Sequence, residues 1–131
     1  MSGSRTPAPS RKSVSVLVRT DEAYEAASAA LAGADGVDAR VRLGRLAGPQ
    51  PWLEERGTDL AVLDLDMADP AELAALVALA ERLRGRVPVL VTARTPTLDG
   101  MRTLMRLGIA DLVPQPIRRA DLLAAVGDAL A

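Results

Sequence analysis

The sequence predicts an α/β fold: one five-stranded parallel sheet, order 2-1-3-4-5, with helices on both faces. Three observations carry that expectation. Short Val- and Leu-rich runs alternate with longer amphipathic runs five times along the chain, the pattern of parallel strands joined by crossover helices. Residues 14–19, 59–64 and 88–92 are largely apolar, as strands covered on both faces must be. Residues 37–43 instead alternate apolar with polar, and residues 111–114 end in Pro114, which has no amide hydrogen for a ladder. Both therefore suit the two edges of the flavodoxin-like order.

Each element has a local cause. Residues 1–12, MSGSRTPAPSRK, are rich in Ser, Pro and basic groups and read as a disordered leader before a single domain over 13–131. After strand 14–19, Thr20 can cap a helix that has Asp21 and Glu22 in its first turn. Tyr24, Ala27 and Leu31 mark its packing stripe, and AGADG ends it. Strand 37–43 leads to the loop AGPQP, and Pro51 can open a short helix through Trp52, Leu53 and Glu55, closed by Gly57. Beyond strand 59–64, Asp69 and Glu72 frame a capping box around Pro70. That helix is expected to run to about Arg84, with Gly85 as its stop. Leu98, Met101, Leu104 and Met105 form the stripe of the next helix, closed by Gly108. Strand 111–114 and an amphipathic helix from Arg118 to Ala131 complete the chain.

Composition excludes several functions. The chain has 131 residues, one domain's worth, and 49% are apolar but only 2% aromatic: Tyr24, Trp52 and no Phe. Its core must be Leu, Val and Ala, and it lacks the aromatic platforms on which single-stranded nucleic acids stack. With 16 basic and 17 acidic residues it carries no nucleic-acid footprint, so no nucleic-acid contact is expected. It contains neither Cys nor His, which removes thiolate nucleophiles, imidazole acid–base chemistry and zinc sites. Lys12 is the only lysine. No apolar run reaches the ~18 residues of a membrane span, and no apolar signal core follows the basic leader. A cytoplasmic protein making no membrane contact is expected. Neither a P-loop nor a dinucleotide fingerprint is present.

What remains is acidic. Parallel sheets of this order bind ligands at the carboxyl ends of their strands. The stretch DLAVLDLDM, residues 59–67, runs a buried strand straight into Asp64 and Asp66, while Asp21 follows the first strand and Thr92 ends the fourth. Carboxylates gathered this closely repel one another. A hard cation relieves the repulsion, and Mg²⁺ is satisfied by one or two carboxylates plus water. A carboxylate beside Mg²⁺ can also accept a phosphoryl group.

At these residues the sequence resembles the bacterial two-component receiver (CheY-like) domains, over nearly all of 13–131. DLAVLDLDM is similar to the family's Asp-Leu-x-x-x-Asp-x-x-Met, with Asp64 in the phosphoacceptor position. The position of Asp66 implies a backbone-carbonyl ligand to Mg²⁺. PVLVTA is similar to the family's fourth strand, with Thr92 as its hydroxyl. RLGIADLVPQPI is similar to Gly-Ala-x-Asp-Tyr-Leu-x-Lys-Pro, with Pro116 on the proline that is usually cis-linked. The departures matter as much. The family's paired acids read here as Thr20 and Asp21, so one acid is lost. Gln115 replaces the lysine that pairs with the acyl phosphate, and Leu112 replaces the switch aromatic. Gln115 can donate a hydrogen bond but no charge, and charge-assisted bonds are roughly twice as strong.

The resemblance therefore implies an atypical receiver in bacterial signal transduction. It is expected to act through protein–protein contact, not as an enzyme, with a degenerate phosphorylation site at Asp64, Thr92 and Gln115. The expected cofactor is at most a weakly held Mg²⁺ on Asp21, Asp64 and the Asp66 carbonyl. The alternative is a functional phosphoacceptor, phosphorylated on Asp64 with Mg²⁺; a small-ligand-binding module of the same fold is a third reading. Expected partners are another protein or a sensor kinase, and a second copy in a weak homodimer through residues 97–131. There Arg102, Arg106, Arg118 and Arg119 interleave with Asp99, Asp111 and Asp121. MRLGIADLVPQPIRRADLLAAV is also similar to the receiver-like domain ahead of the ATPase in Tad-type pilus-assembly localisation factors, which would make this chain one domain of a longer protein.

Overall fold

The computed structural model describes residues 11–47 and 57–131. Five strands, β1 (Lys12–Val18), β2 (Val37–Leu43), β3 (Leu60–Asp64), β4 (Val89–Ala93) and β5 (Asp111–Pro114), form one sheet in the order β2-β1-β3-β4-β5. Every neighbouring pair is parallel. Four helices among the described residues connect them: α1 (Asp21–Ala32), α2 (Pro70–Leu83), α3 (Leu98–Leu107) and α4 (Arg119–Leu130). The expected sheet and its order are what the chain forms. The helix expected to open at Pro51 and the leader up to residue 10 lie outside the described residues, as does Trp52.

The sheet separates two cores, as strand alternation requires. On one face Val14, Val16, Val18, Leu60, Val62, Leu90 and Val113 pack against Ala27 and Leu31 of α1 and Leu122 and Val126 of α4. On the other, Leu17, Ala61, Leu63, Val91 and Ala93 meet Leu76, Leu79 and Leu83 of α2 and Leu104 of α3. All five residues of β3 and of β4 are buried. Every residue of β2 keeps some exposure, and β5 buries only Val113. The two edges are thus the strands whose sequences were polar or proline-bearing.

Two helix termini form as their local signals dictate. Thr20 caps α1 by accepting the Ala23 amide at 3.1 Å. Gly108 ends α3 at φ 72°, a left-handed conformation that glycine adopts without penalty. The Ile109 amide then returns to the Leu104 carbonyl at 3.1 Å.

Three expectations need correction. Tyr24 lies on the rim of α1, and the buried stripe is Ala23, Ala27, Ala30 and Leu31. In α3 the packed face is centred on Gly100 and Leu104, while Leu98 and Met105 are 68% and 78% exposed. The reason is a close approach: a Cβ on Gly100 would lie 2.5 Å from Met67 Sδ, so a residue without a side chain sets the helix face. Third, the capping box of α2 is half made. Asp69 accepts the Ala71 amide at 2.9 Å, but Glu72 does not reach back. Glu72 is wholly buried and accepts the Ala47 amide at 2.8 Å instead.

Candidate functional site

Asp64 is the last residue of β3 and is 4% exposed. Register decides its neighbours. Leu17 of β1 pairs with Leu63, so β1 ends alongside Asp64, and Asp64 itself pairs with Thr92 of β4. Thr92 is wholly buried and its hydroxyl has no hydrogen-bond partner among the described residues. The expected acceptor–hydroxyl pair is therefore brought together at the carboxyl end of the sheet.

A cleft of about 200 Å³ opens there, lined by Arg19, Thr20, Asp64, Leu65, Asp66, Met67, Arg94, Thr95 and Gln115. Gln115 follows the edge strand β5, and its side-chain Nε2 is buried without a hydrogen-bond partner among the described residues. The bond from Gln115 to Pro116 is cis. Leu112, two residues earlier than Pro114, is half-buried and packs toward the α2–α3 core.

Asp21 is not brought to this cleft. It is exposed in the first turn of α1 and does not line the cavity. The residue that stands beside Asp64 is Arg19. Its backbone amide donates to Asp64 Oδ2 at 2.9 Å. Its guanidinium lies 3.6 Å from Asp66 Oδ2 and 3.8 Å from Glu72 Oε1. Where the sequence led us to expect a second acid near the end of the first strand, the structure places a cation.

The donor set is consequently a poor fit for Mg²⁺. Asp64 and Asp66 share the cleft with two guanidinium groups, Arg19 and Arg94. Among the described residues no group of three or more carboxylates converges on one point. A divalent ion placed between the two acids would face Arg19, and like charges a few Å apart repel. The Asp66 side chain is engaged as well: its Oδ1 accepts the Ala68 amide at 3.0 Å.

Arg19 and Glu72 are the residues that sequence reasoning missed. The signal for Arg19 was a charged residue directly after five buried strand positions, four of them Val or Leu. Nothing local in the sequence marked Glu72, whose i+3 spacing from Asp69 read as a cap.

No protein-family model and no curated protein matches the chain. Solved structures do. A CheY-like response regulator receiver domain protein from Methanospirillum hungatei superposes at TM-score 0.77 with 16% identity, over 92% of this chain and 94% of its own. The chain has the receiver fold. Pilus assembly proteins share that fold too. CpaE from Caulobacter crescentus matches at TM-score 0.74 and 23% identity, over 91% of this chain and 93% of that one. A pilus assembly-related protein from Burkholderia pseudomallei matches at TM-score 0.74 and 20% identity, covering 96% and 94%. Asp64 and Gln115 line one cleft, and Thr92 lies buried beside Asp64 in the register of β3 and β4. Among the described residues no helix is long and apolar enough to cross a membrane.

Proposed function

We propose that this chain is an atypical receiver domain in bacterial signal transduction. It works through protein–protein contact and has a degenerate phosphorylation site. The observation that carries the reading is Arg19. A receiver that phosphorylates well needs a cation held by acids next to the acceptor. Here the residue at the end of β1 is itself a cation, within 3.6 Å of Asp66. Gln115 supplies no charge for phosphoryl oxygens, and Leu112 has no hydroxyl or ring to move toward Thr92. The loss of one charge-assisted bond is on the order of 1.5–3 kcal/mol, so the phosphorylated state is disfavoured by at least about tenfold.

The finer reading is that the domain serves in pilus assembly, as a receiver-like domain of a Tad-type localisation protein. Its support is the fold shared with CpaE of Caulobacter crescentus. Its partner in this reading is another protein or a second copy of the chain. The face formed by α3, β5 and α4 exposes Arg102, Arg106, Arg118 and Arg119 together with Asp99, Asp111 and Asp121. Such interleaved charge fixes register more than it adds affinity.

Acetyl phosphate with Mg²⁺, followed by intact-protein mass spectrometry, tests the proposal. Little or no adduct is expected. Stoichiometric modification that vanishes in Asp64→Asn would favour the functional phosphoacceptor instead.

A further inference from the structure

A network of four groups runs through the cleft into the protein. Asp64 accepts the Arg19 amide at 2.9 Å. The Arg19 guanidinium reaches Asp66 Oδ2 at 3.6 Å and Glu72 Oε1 at 3.8 Å. Glu72 Oε2 takes the Ala47 amide at 2.8 Å. Two atoms of this network, Arg19 Nε and Glu72 Oε1, are buried and have no hydrogen-bond partner among the described residues. They are a donor and an acceptor, and they face each other. The contact is therefore an ion pair rather than a hydrogen bond.

Glu72 explains why Arg19 stays. Its side chain has no exposure at all, projecting from the first turn of α2 into the α2 side of the sheet. An ionised carboxylate in that position needs a compensating charge nearby. Arg19 supplies it from the end of β1, and its side chain keeps 26% exposure toward the cleft. An ordinary surface arginine could swing away into water. This one cannot do so without stranding a buried anion.

The geometry points to Arg19 as the resident cation of the site, anchored by Glu72, so that a built-in guanidinium stands where a divalent metal would otherwise gather the carboxylates. The inference rests on reading the cleft as a former phosphoacceptor site. Its consequence is specific. A metal ion entering between Asp64 and Asp66 must displace the guanidinium, and displacement uncovers Glu72. Metal binding and compensation of the buried acid are mutually exclusive. The Asp64 end of the sheet is held in one arrangement whether or not Mg²⁺ is present. In this arrangement Glu72 is a positioning residue: it acts on the cleft only through Arg19.

Mn²⁺, which broadens the amide NMR signals of residues near its binding site, is the probe. Three proteins are compared: wild type, Arg19→Asp, and the double variant Arg19→Asp with Glu72→Gln. The double variant removes the buried charge along with its partner and retains an oxygen for the Ala47 amide, so it remains informative if the single variant fails to fold. Replacing a positive by a negative charge about 4 Å from a divalent ion should tighten binding by at least about tenfold. The expected result is saturable broadening of residues 64–67 in the double variant, at metal concentrations that leave the wild type unsaturated. Equal affinity in wild type and double variant would overturn the inference. The signalling proposal fails separately. Wild type that binds Mn²⁺ at Asp64 and Asp66 yet takes no label from acetyl phosphate would overturn the resident cation alone. Wild type that excludes Mn²⁺ but is labelled on Asp64 would overturn the degenerate-site reading alone.

Discussion

Replacing Arg19 by Met removes the guanidinium and keeps a flexible stem of similar length. What it leaves behind is Glu72, wholly buried, with one oxygen on the Ala47 amide and the other facing no charge. Breaking a fully buried pair by removing one partner costs about 3–5 kcal/mol. Here the figure must be reduced. Arg19 is 26% exposed and its 3.8 Å approach to Glu72 is not a hydrogen bond, so a loss of about 2 kcal/mol is expected. For a domain of this length that lowers Tm by about 6–10 °C. Glu72→Gln removes the charge and keeps an acceptor, so the double variant Arg19→Met with Glu72→Gln should be less destabilised than the two single effects summed, by about 1–2 kcal/mol. Urea unfolding followed by far-UV circular dichroism on all four proteins measures this. Strictly additive singles, or Arg19→Met within about 0.5 kcal/mol of wild type as an ordinary surface change would be, would refute the argument that Arg19 compensates a buried acid.

Other expectations follow from packing and charge. Gly100→Ala should destabilise by about 1–3 kcal/mol in urea unfolding, because its Cβ would meet Met67 Sδ at 2.5 Å and Cγ at 2.8 Å; an unchanged midpoint would show that Met67 can move aside freely. Gly108→Ala should lose about 1 kcal/mol, since φ 72° is left-handed while the space around it is open, so that a larger loss would indicate more than backbone strain. Sedimentation at high protein concentration should show weak, reversible self-association that charge reversal at Arg102 and Arg118 weakens. A strict monomer, or a dimer indifferent to those reversals, would count against the α3–β5–α4 face.

The sheet was legible because its causes are local or compositional. β3 and β4 are apolar but for Asp64 and Thr92 and lie inside the sheet, whereas the alternation of β2 and Pro114 of β5 marked the edges. Asp64 and Thr92 could be placed because each follows an apolar run at the carboxyl end of its strand, and parallel register then sets them side by side. Arg19 could not be placed from the sequence. Its position depends on Leu17 pairing with Leu63, a contact between residues far apart in the chain. A motif read by order alone put the family's two acid positions at Thr20 and Asp21, only the second of them still acidic, and there the chain is already turning into α1. Glu72 was read as half of a capping box for the same reason. Only the tertiary placement of Ala47 and Arg19 draws it inward. In α3 the apolar count favoured Leu98 and Met105, but the packed face includes Gly100, and a glycine gives no hydrophobic signal.

The central claim is that Asp64 no longer drives a switch. Amide NMR spectra with and without beryllofluoride and Mg²⁺, a mimic of the acyl phosphate, test it most directly. The account predicts small shifts confined to residues near the cleft, with β5 and α4 unmoved. Saturable shifts that spread from Asp64 and Thr92 through Gln115 into β5, and that disappear in Asp64→Asn, would contradict it.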